Sequence, residues 1–522
     1  MLKNILKIFT GTLFSRIFGF IREIIVAKFF GTGNIADAFT LALIFPNLFR
    51  QVLGEDMVER AFMPPFKTIY DQGNKANSWK YISVVFNWFF IALILVTAIL
   101  YLVIPLFFSL KDSFPEIFGF IFKDQSFNYD LSLKLIMIIL PFSIFIGVAA
   151  FIGSMLNFFE KNWIFGFAPA MLSVGVISGI YVLYPSIGGY SIAVGYVFGA
   201  FLQMCIQLPF IFNKKFKKET DRKYNGLKLK STDHQFKTLK RESKLITLNA
   251  LFDKTQEVFG RFFAATLIAG STSSLFYAAR LYQLPFAILS LPITRGINPE
   301  LNKMKATKQY DLFSLTFYKG LRLYTLLFIP VTVILIICAP ELVDLIFRRG
   351  KFDSNSLSLT TNAFSMYAIG LLPMSLVGYY KRVLSLFDKN KYALNISIVG
   401  AILNIAFAII LVRSTNLGHA GIALASSLAF SINMLVMGNY LKKELHEFVH
   451  KSSSIVINLI IILFVGICII AGIKYFDLFF ITNKTISFLS LSIKGISVLL
   501  IFSTIYFLNP KLRSILLSFF RK

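Results

Sequence analysis

The sequence is poor in the residues on which most enzymes and metal proteins rely. Its 522 residues hold three cysteines and four histidines. Cys205, Cys338 and Cys468 each sit inside an apolar run, with no CxxC or Cys/His spacing. That excludes a disulfide framework and a zinc site, and leaves the cysteines as small buried residues. His234, His419, His446 and His450 fall in loops or at helix ends without metal-ligand spacing. There is no nucleophile–base arrangement, no paired acidic motif for a prenyl-diphosphate metal site and no glycine-rich phosphate loop. Nothing here points to an enzyme, a cofactor or a metal. Charge is scarce as well, at 15% of residues, and acids are the scarcer sign: 26 against 53 Lys and Arg. A net charge of +27 would suit a nucleic-acid binder, but a soluble one would not be 56% hydrophobic. No nucleic-acid partner is expected, and the basic excess belongs to cytoplasmic loops.

What the sequence has instead is long apolar runs. Taking runs near 20 residues as spans predicts an all-α polytopic membrane protein with fourteen transmembrane helices. They fall near 5–30, 34–54, 81–108, 131–158, 163–184, 190–212, 245–269, 271–297, 313–338, 357–380, 392–412, 418–441, 454–474 and 485–508. The first two are the least hydrophobic. Lys and Arg in the segments that this count places inside far outnumber those outside, so both termini are expected in the cytoplasm. Arg16, Arg22 and Glu23 interrupt the first apolar run and no cleavage site follows, so it reads as a retained helix rather than a signal peptide. The most basic loop, 214–244, carries twelve Lys and Arg against Glu219, Asp221, Asp233 and Glu242. It reads as an inside-facing tether able to meet anionic headgroups.

That loop separates two groups of six spans, which echo each other. Gly31 precedes Pro46 by fifteen residues, as Gly270 precedes Pro285. KNWIFGFAP (161–169) corresponds to KNKYALNIS (389–397), and Ile192-Ala193 with Gln203-Met204 to Ile422-Ala423 with Asn433-Met434. Repeats of six spans share one membrane orientation, giving two pseudo-symmetric six-helix lobes plus a C-terminal helix pair. The expected organisation is a lobe over 1–213, a linker over 214–244, a second lobe over 245–441, and two extra helices with a tail over 442–522.

Against this apolar background, residues 15–50 carry Arg16, Arg22, Glu23, Lys28, Asp37 and Arg50. Each ionised group at the bilayer centre costs roughly 2.5–3.5 kcal/mol on insertion scales, so these should face a wet cavity and not lipid. Arg16 and Glu23 share a helical face, with Arg22 about 120° from Arg16. Structural pairs Arg16–Glu23 or Arg22–Asp37 would explain single residues. They do not cover the set once Arg280 and the nearby Arg295 are added. Surplus guanidinium at low dielectric asks for an anion, and its fork matches phosphate oxygens. Pro46 should kink span two. In span seven, Asp253, Lys254, Glu257 and Arg261 can neutralise one another, a structural or gate-forming set. Lys134 and Lys494 lie near span ends and can snorkel.

SRIFGFIRE (15–23), FGTGNIADAF (30–39) and PNLFR (46–50) resemble the opening of the MurJ (MviN) lipid II flippases, within the multidrug/oligosaccharidyl-lipid/polysaccharide exporter superfamily. Glu55, AFMPPF (61–66), QLP (207–209), YAARL (277–281), GKF (350–352), Asn404 and HAGIAL (419–424) extend the resemblance along the chain. It implies diphosphate-binding arginines at Arg16, Arg22, Arg50 and Arg280, and cavity or gate acids at Glu23, Asp37 and Glu55. It also implies a groove for the polyprenyl tail beside the last two helices. The cargo would be lipid II, undecaprenyl diphosphate bearing the disaccharide-pentapeptide, in the bacterial cytoplasmic (inner) membrane, with membrane lipids as the other partner and the protein a monomer. The chain departs from the family at Ala279, Gln283 and Asp56, and in the extra cavity charge Arg295. Asn404 is a candidate ion site, but Gly260 and Ala408 stand where sodium-binding relatives carry acids, so sodium or proton coupling is left open. The alternatives are a flippase for another undecaprenyl-diphosphate-linked oligosaccharide, a cation-coupled drug exporter, and a non-transporting scaffold.

Overall fold

The computed structural model describes residues 2–50, 57–58, 62–73, 75–113, 128–213, 258–444, 494–500 and 502–503. The loop 214–244, Glu55, Asp253, Lys254, Glu257 and span thirteen lie outside them. Two compact units are present, Met1–Thr272 and Ser273–Lys522, and the regular elements among the described residues are helical. The first unit holds α1 (Leu2–Phe30), α2 (Asn34–Ala42), α3 (Ile44–Phe49), α4 (Met63–Asp71), α5 (Lys75–Ser113), α6 (Tyr129–Ile139), α7 (Phe142–Phe158), α8 (Asn162–Ile187) and α9 (Tyr190–Phe212). Next come α10 (Ser271–Ala306), α11 (Tyr310–Ile337), α12 (Ala339–Phe347), α13 (Ser354–Ile369), α14 (Leu371–Leu386), α15 (Asn390–Ser414) and α16 (His419–Glu444).

Seven helical stretches among the described residues are long and apolar enough to cross a membrane, and α13 with α14 makes an eighth, bent by 44°. The stretches expected as spans one, two and eight are helical, as α1, as α2 with α3, and as α10, the helices that carry Arg16, Arg22, Glu23, Asp37 and Arg280. Span seven is described from residue 258 and span fourteen from 494. The fourteen-span count is compatible with all of these. Pro46 interrupts span two, but upstream of itself: the break falls at Leu43, between α2 and α3. A proline has no N–H for the carbonyl four residues back, here Ala42, and the helix yields there.

The echo between the two halves is written in the backbone. Left-handed residues cost L-side chains energy and mark obligatory turns. Gly31 (φ 59°) and Gly270 (φ 91°) occupy one pair of matched positions, and Gly188 (φ 53°) and Gly418 (φ 52°) another. Glu160 (φ 59°) and Asp388 (φ 56°), neither of them glycine, form a third pair, each just before the matching Lys-Asn. The repeat therefore preserves turn conformation even where side chains have diverged.

In the first unit α8 packs against both α9 and α1. The sequence allows this through GVISG (175–179) and GYVFG (195–199), two GxxxG patterns whose small residues let backbones approach. A Cβ added at Gly179 would lie 2.6 Å from the Gly195 Cα, and one at Gly175 would run into the Gly199 backbone. The buried hydroxyls of Thr97, Ser143 and Ser375 find partners locally, on carbonyls of the preceding turn, each at 2.7 Å. Lys134 is exposed. Lys494, read from sequence as snorkelling, is instead 8% exposed, and its Nζ lies 2.6 Å from Glu341 Oε1 on α12. An acid within reach inside the protein competes with the route to water.

Candidate functional site

Helical spacing puts Arg16 and Glu23 on one face of α1 and turns Arg22 about 120° away. In the structure Arg22 meets its chain neighbour. Arg22 Nη2 donates to Glu23 Oε1 at 2.6 Å, with side chains 13% and 4% exposed. Adjacent positions diverge on a helix, but two long side chains curl together when both are withdrawn from water, where an uncompensated charge is costly. A second contact comes from α9: the Arg22 guanidinium carbon lies 5.3 Å from the Tyr196 ring centroid. Tyr196 is itself held by Phe39 of α2, at 5.2 Å between centroids, and Phe142 of α7, at 6.1 Å. The Arg22 Nε is sealed from solvent and has no hydrogen-bond partner.

Arg16 lies on α1 and is exposed, and Arg50 follows α3 half-buried. Asp37, 5% exposed on α2, accepts the Gly270 N–H at Oδ2, 2.6 Å away. That N–H belongs to the left-handed residue that starts α10, so Asp37 anchors a turn and places a negative charge at a helix N-terminus. Nearby, Arg261 Nη1 donates to the Thr40 carbonyl at 3.3 Å, and Leu41, Ile44 and Ala265 form an apolar patch with Leu48, Val258 and Phe262. The described part of span seven is thus tied to α2 within the first unit.

In the second unit, Arg280 is half-buried on α10, with its guanidinium carbon 4.9 Å from the ring centroid of Phe276, one turn earlier. Arg295 belongs to the same helix. Asn404, 1% exposed on α15, donates from Nδ2 to Ser426 Oγ of α16 at 2.9 Å, while its Oδ1 has no partner. No group of three or more His, Cys, Asp or Glu able to hold a metal forms among the described residues. Asn404 makes an interhelical amide–hydroxyl bond, and Ala408 offers no ligand atom beside it.

Three features escaped the sequence reading. Tyr196 carried a signal only in that it sits between the glycines of GYVFG. The tie between Asp37 and Gly270 joins residues 233 positions apart, and no local pattern announces it. The paired GxxxG patterns are legible at 175–179 and 195–199.

Known proteins share both the sequence and the fold. The family model described as lipid II flippase MurJ matches residues 26–494. A protein of Borreliella burgdorferi named probable lipid II flippase MurJ is 28% identical over 87% of this chain and 84% of its own length. Its namesake in Rickettsia prowazekii is 27% identical over 83% and 82%. A solved structure of lipid II flippase MurJ in an inward closed conformation superposes with a TM-score of 0.76 at 23% identity, covering 96% of this chain and 98% of that one. An inward-facing multidrug resistance MATE transporter of the MOP superfamily shares the fold more distantly, with a TM-score of 0.62 at 12% identity over 82% and 98%. With arginines set into its least apolar helices and a family match over most of its length, the chain belongs to the MurJ family of lipid II flippases.

Proposed function

We propose that this chain carries lipid II from the inner to the outer leaflet of the bacterial cytoplasmic membrane by alternating access. Arg16, Arg22, Arg50 and Arg280 line a cationic cavity and bind the diphosphate, while the polyprenyl tail stays in lipid. Glu23, Asp37 and Glu55 act as cavity or gate acids, and Arg295 adds a further cavity charge. Family membership and the relatives' names support the cargo. The observation in this chain that carries the reading is Arg22: a guanidinium withdrawn from water, with one donor on Glu23 and an Nε that has no acceptor. A buried donor without a partner costs about 1–3 kcal/mol, more when charged, and an arriving phosphate removes that cost.

No chemistry on the cargo is needed. About two negative charges leaving a negative interior release roughly 2.3 kcal/mol each per 100 mV, so the membrane potential can drive export. The protein acts as a monomer with both termini in the cytoplasm. A drug exporter for cations fits the fold shared with the MATE transporter, but that role favours a cavity dominated by acids, and residues 15–50 hold four cations against two acids. Arg22→Ala and Arg280→Ala, expressed in cells depleted of their own flippase, are each expected to fail to restore growth. Full rescue by both would overturn the reading.

A further inference from the structure

We propose that Tyr196 is a positioning residue, its ring holding the Arg22 guanidinium in the orientation that meets the diphosphate. The inference rests on Arg22 being a diphosphate ligand, as proposed above. An arginine stem has many rotamers, and one contact at Nη2 leaves the guanidinium plane free to turn about the bond to Glu23. A ring face 5.3 Å away removes that freedom. The ring can do so because it is fixed in turn. Tyr196 is buried, and Phe39 and Phe142, both buried, brace it from α2 and α7. Four helices, α1, α2, α7 and α9, therefore contribute to the placement of a single guanidinium.

The position of Tyr196 along its helix is also fixed. Gly195 and Gly199, on either side of it, meet α8 at backbone distance, so α9 cannot slide without breaking that contact. Lysine at position 22 would lose this arrangement, because an ammonium has no plane for the ring to orient. The proposed role belongs to the ring, so phenylalanine should serve where an aliphatic replacement does not.

The test is a titration of the purified full-length protein with undecaprenyl diphosphate, read by native mass spectrometry, with thermal unfolding recorded for every variant. Tyr196→Phe is expected to bind within about twofold of the wild type. Tyr196→Leu is expected to bind about tenfold more weakly, the size of one desolvated cation–π contact. In an Arg22→Ala background, Tyr196→Leu should cause no further loss, because a residue acting through Arg22 has nothing left to position. A purely packing role would weaken both backgrounds alike, and that result overturns the proposal, as does wild-type binding by Tyr196→Leu. If Tyr196→Leu does not fold, Tyr196→Met, unbranched and closer in length, is read by the same criteria. Wild-type protein that binds no diphosphate lipid, or binds it as well after Arg22→Ala, would overturn the functional reading, and this inference with it.

Discussion

The same helix pair occurs once in each half of the chain, and the two copies are held together by different chemistry. In the first, α8 and α9 meet through Gly175, Gly179, Gly195 and Gly199, with backbone against backbone. The repeat that matches residues 161–169 to 389–397 and Ile192-Ala193 to Ile422-Ala423 sets these glycines opposite Leu403, Phe407, Ala425 and Ala429. In the second copy α15 and α16 therefore carry a Cβ at every matched position, and Asn404 adds a hydrogen bond to Ser426 at 2.9 Å. In an apolar solvent, helix association depends on close van der Waals contact and on polar groups that find each other, and the two copies each emphasise one. The first gains proximity at the cost of tolerance. The second tolerates side chains and uses an amide to fix the register.

The largest expected effect is an exchange of the two solutions. Gly175→Asn puts a branched side chain where even a Cβ meets the Gly199 backbone. Backbone cannot rotate aside, so the cost should exceed the roughly 1–3 kcal/mol of ordinary overpacking and the purified protein should not give a cooperative melt. The change that removes the amide from the second pair, Asn404→Gly, loses one interhelical hydrogen bond and some helix propensity, about 1–2 kcal/mol together, and should fold with a lowered melting temperature. Equal tolerance at both positions would break the comparison.

A smaller effect tests whether Asn404 is more than a link between helices. Asn404→Leu removes the bond to Ser426 while keeping apolar volume, with an expected loss of about 1 kcal/mol in detergent melts. Wild-type protein should melt at the same temperature in sodium chloride and choline chloride of equal strength. A sodium-specific rise that disappears in the variant would make Asn404 an ion ligand, since ligands that bind only the folded state raise its stability by mass action.

How far the sequence speaks follows the same division. The all-helical membrane class and the two halves were legible because hydropathy and loop charge are local properties of the chain. The repeat was legible from only a few residue matches, yet matched left-handed turns at Glu160 and Asp388 carry it into the backbone. Partnerships across the fold were not legible. Face geometry did not offer the contact of Arg22 with Glu23 beside it, nor that of Asp37 with Gly270. Side chains that bend toward one another in a dry interior obey distance and desolvation, and helical periodicity does not encode either.

The smallest effect concerns the helices that precede these pairs. Asn128 caps α6, accepting the Leu131 N–H at 2.9 Å, and Asp353 caps α13, accepting the Ser356 N–H at 2.8 Å. One cap is neutral and the other titrates. The hydrogen bond from the Ser356 backbone N–H holds the Asp353 carboxyl below its ordinary range. A depressed carboxylate contributes its full stability above the unfolded value, near 3.9, and loses it as pH falls through the folded value. The cap should therefore weaken below about pH 4, by less than 1 kcal/mol because Asp353 is exposed. Hydrogen exchange at the two capped amides reads this out, with Leu131 as internal control for the acceleration common to all amides. Protection at Ser356 should fall relative to Leu131 as pH drops below about 4 and through that depressed value. Asp353→Asn should abolish the difference, since an amide cap in the second half would then behave as the amide cap in the first already does.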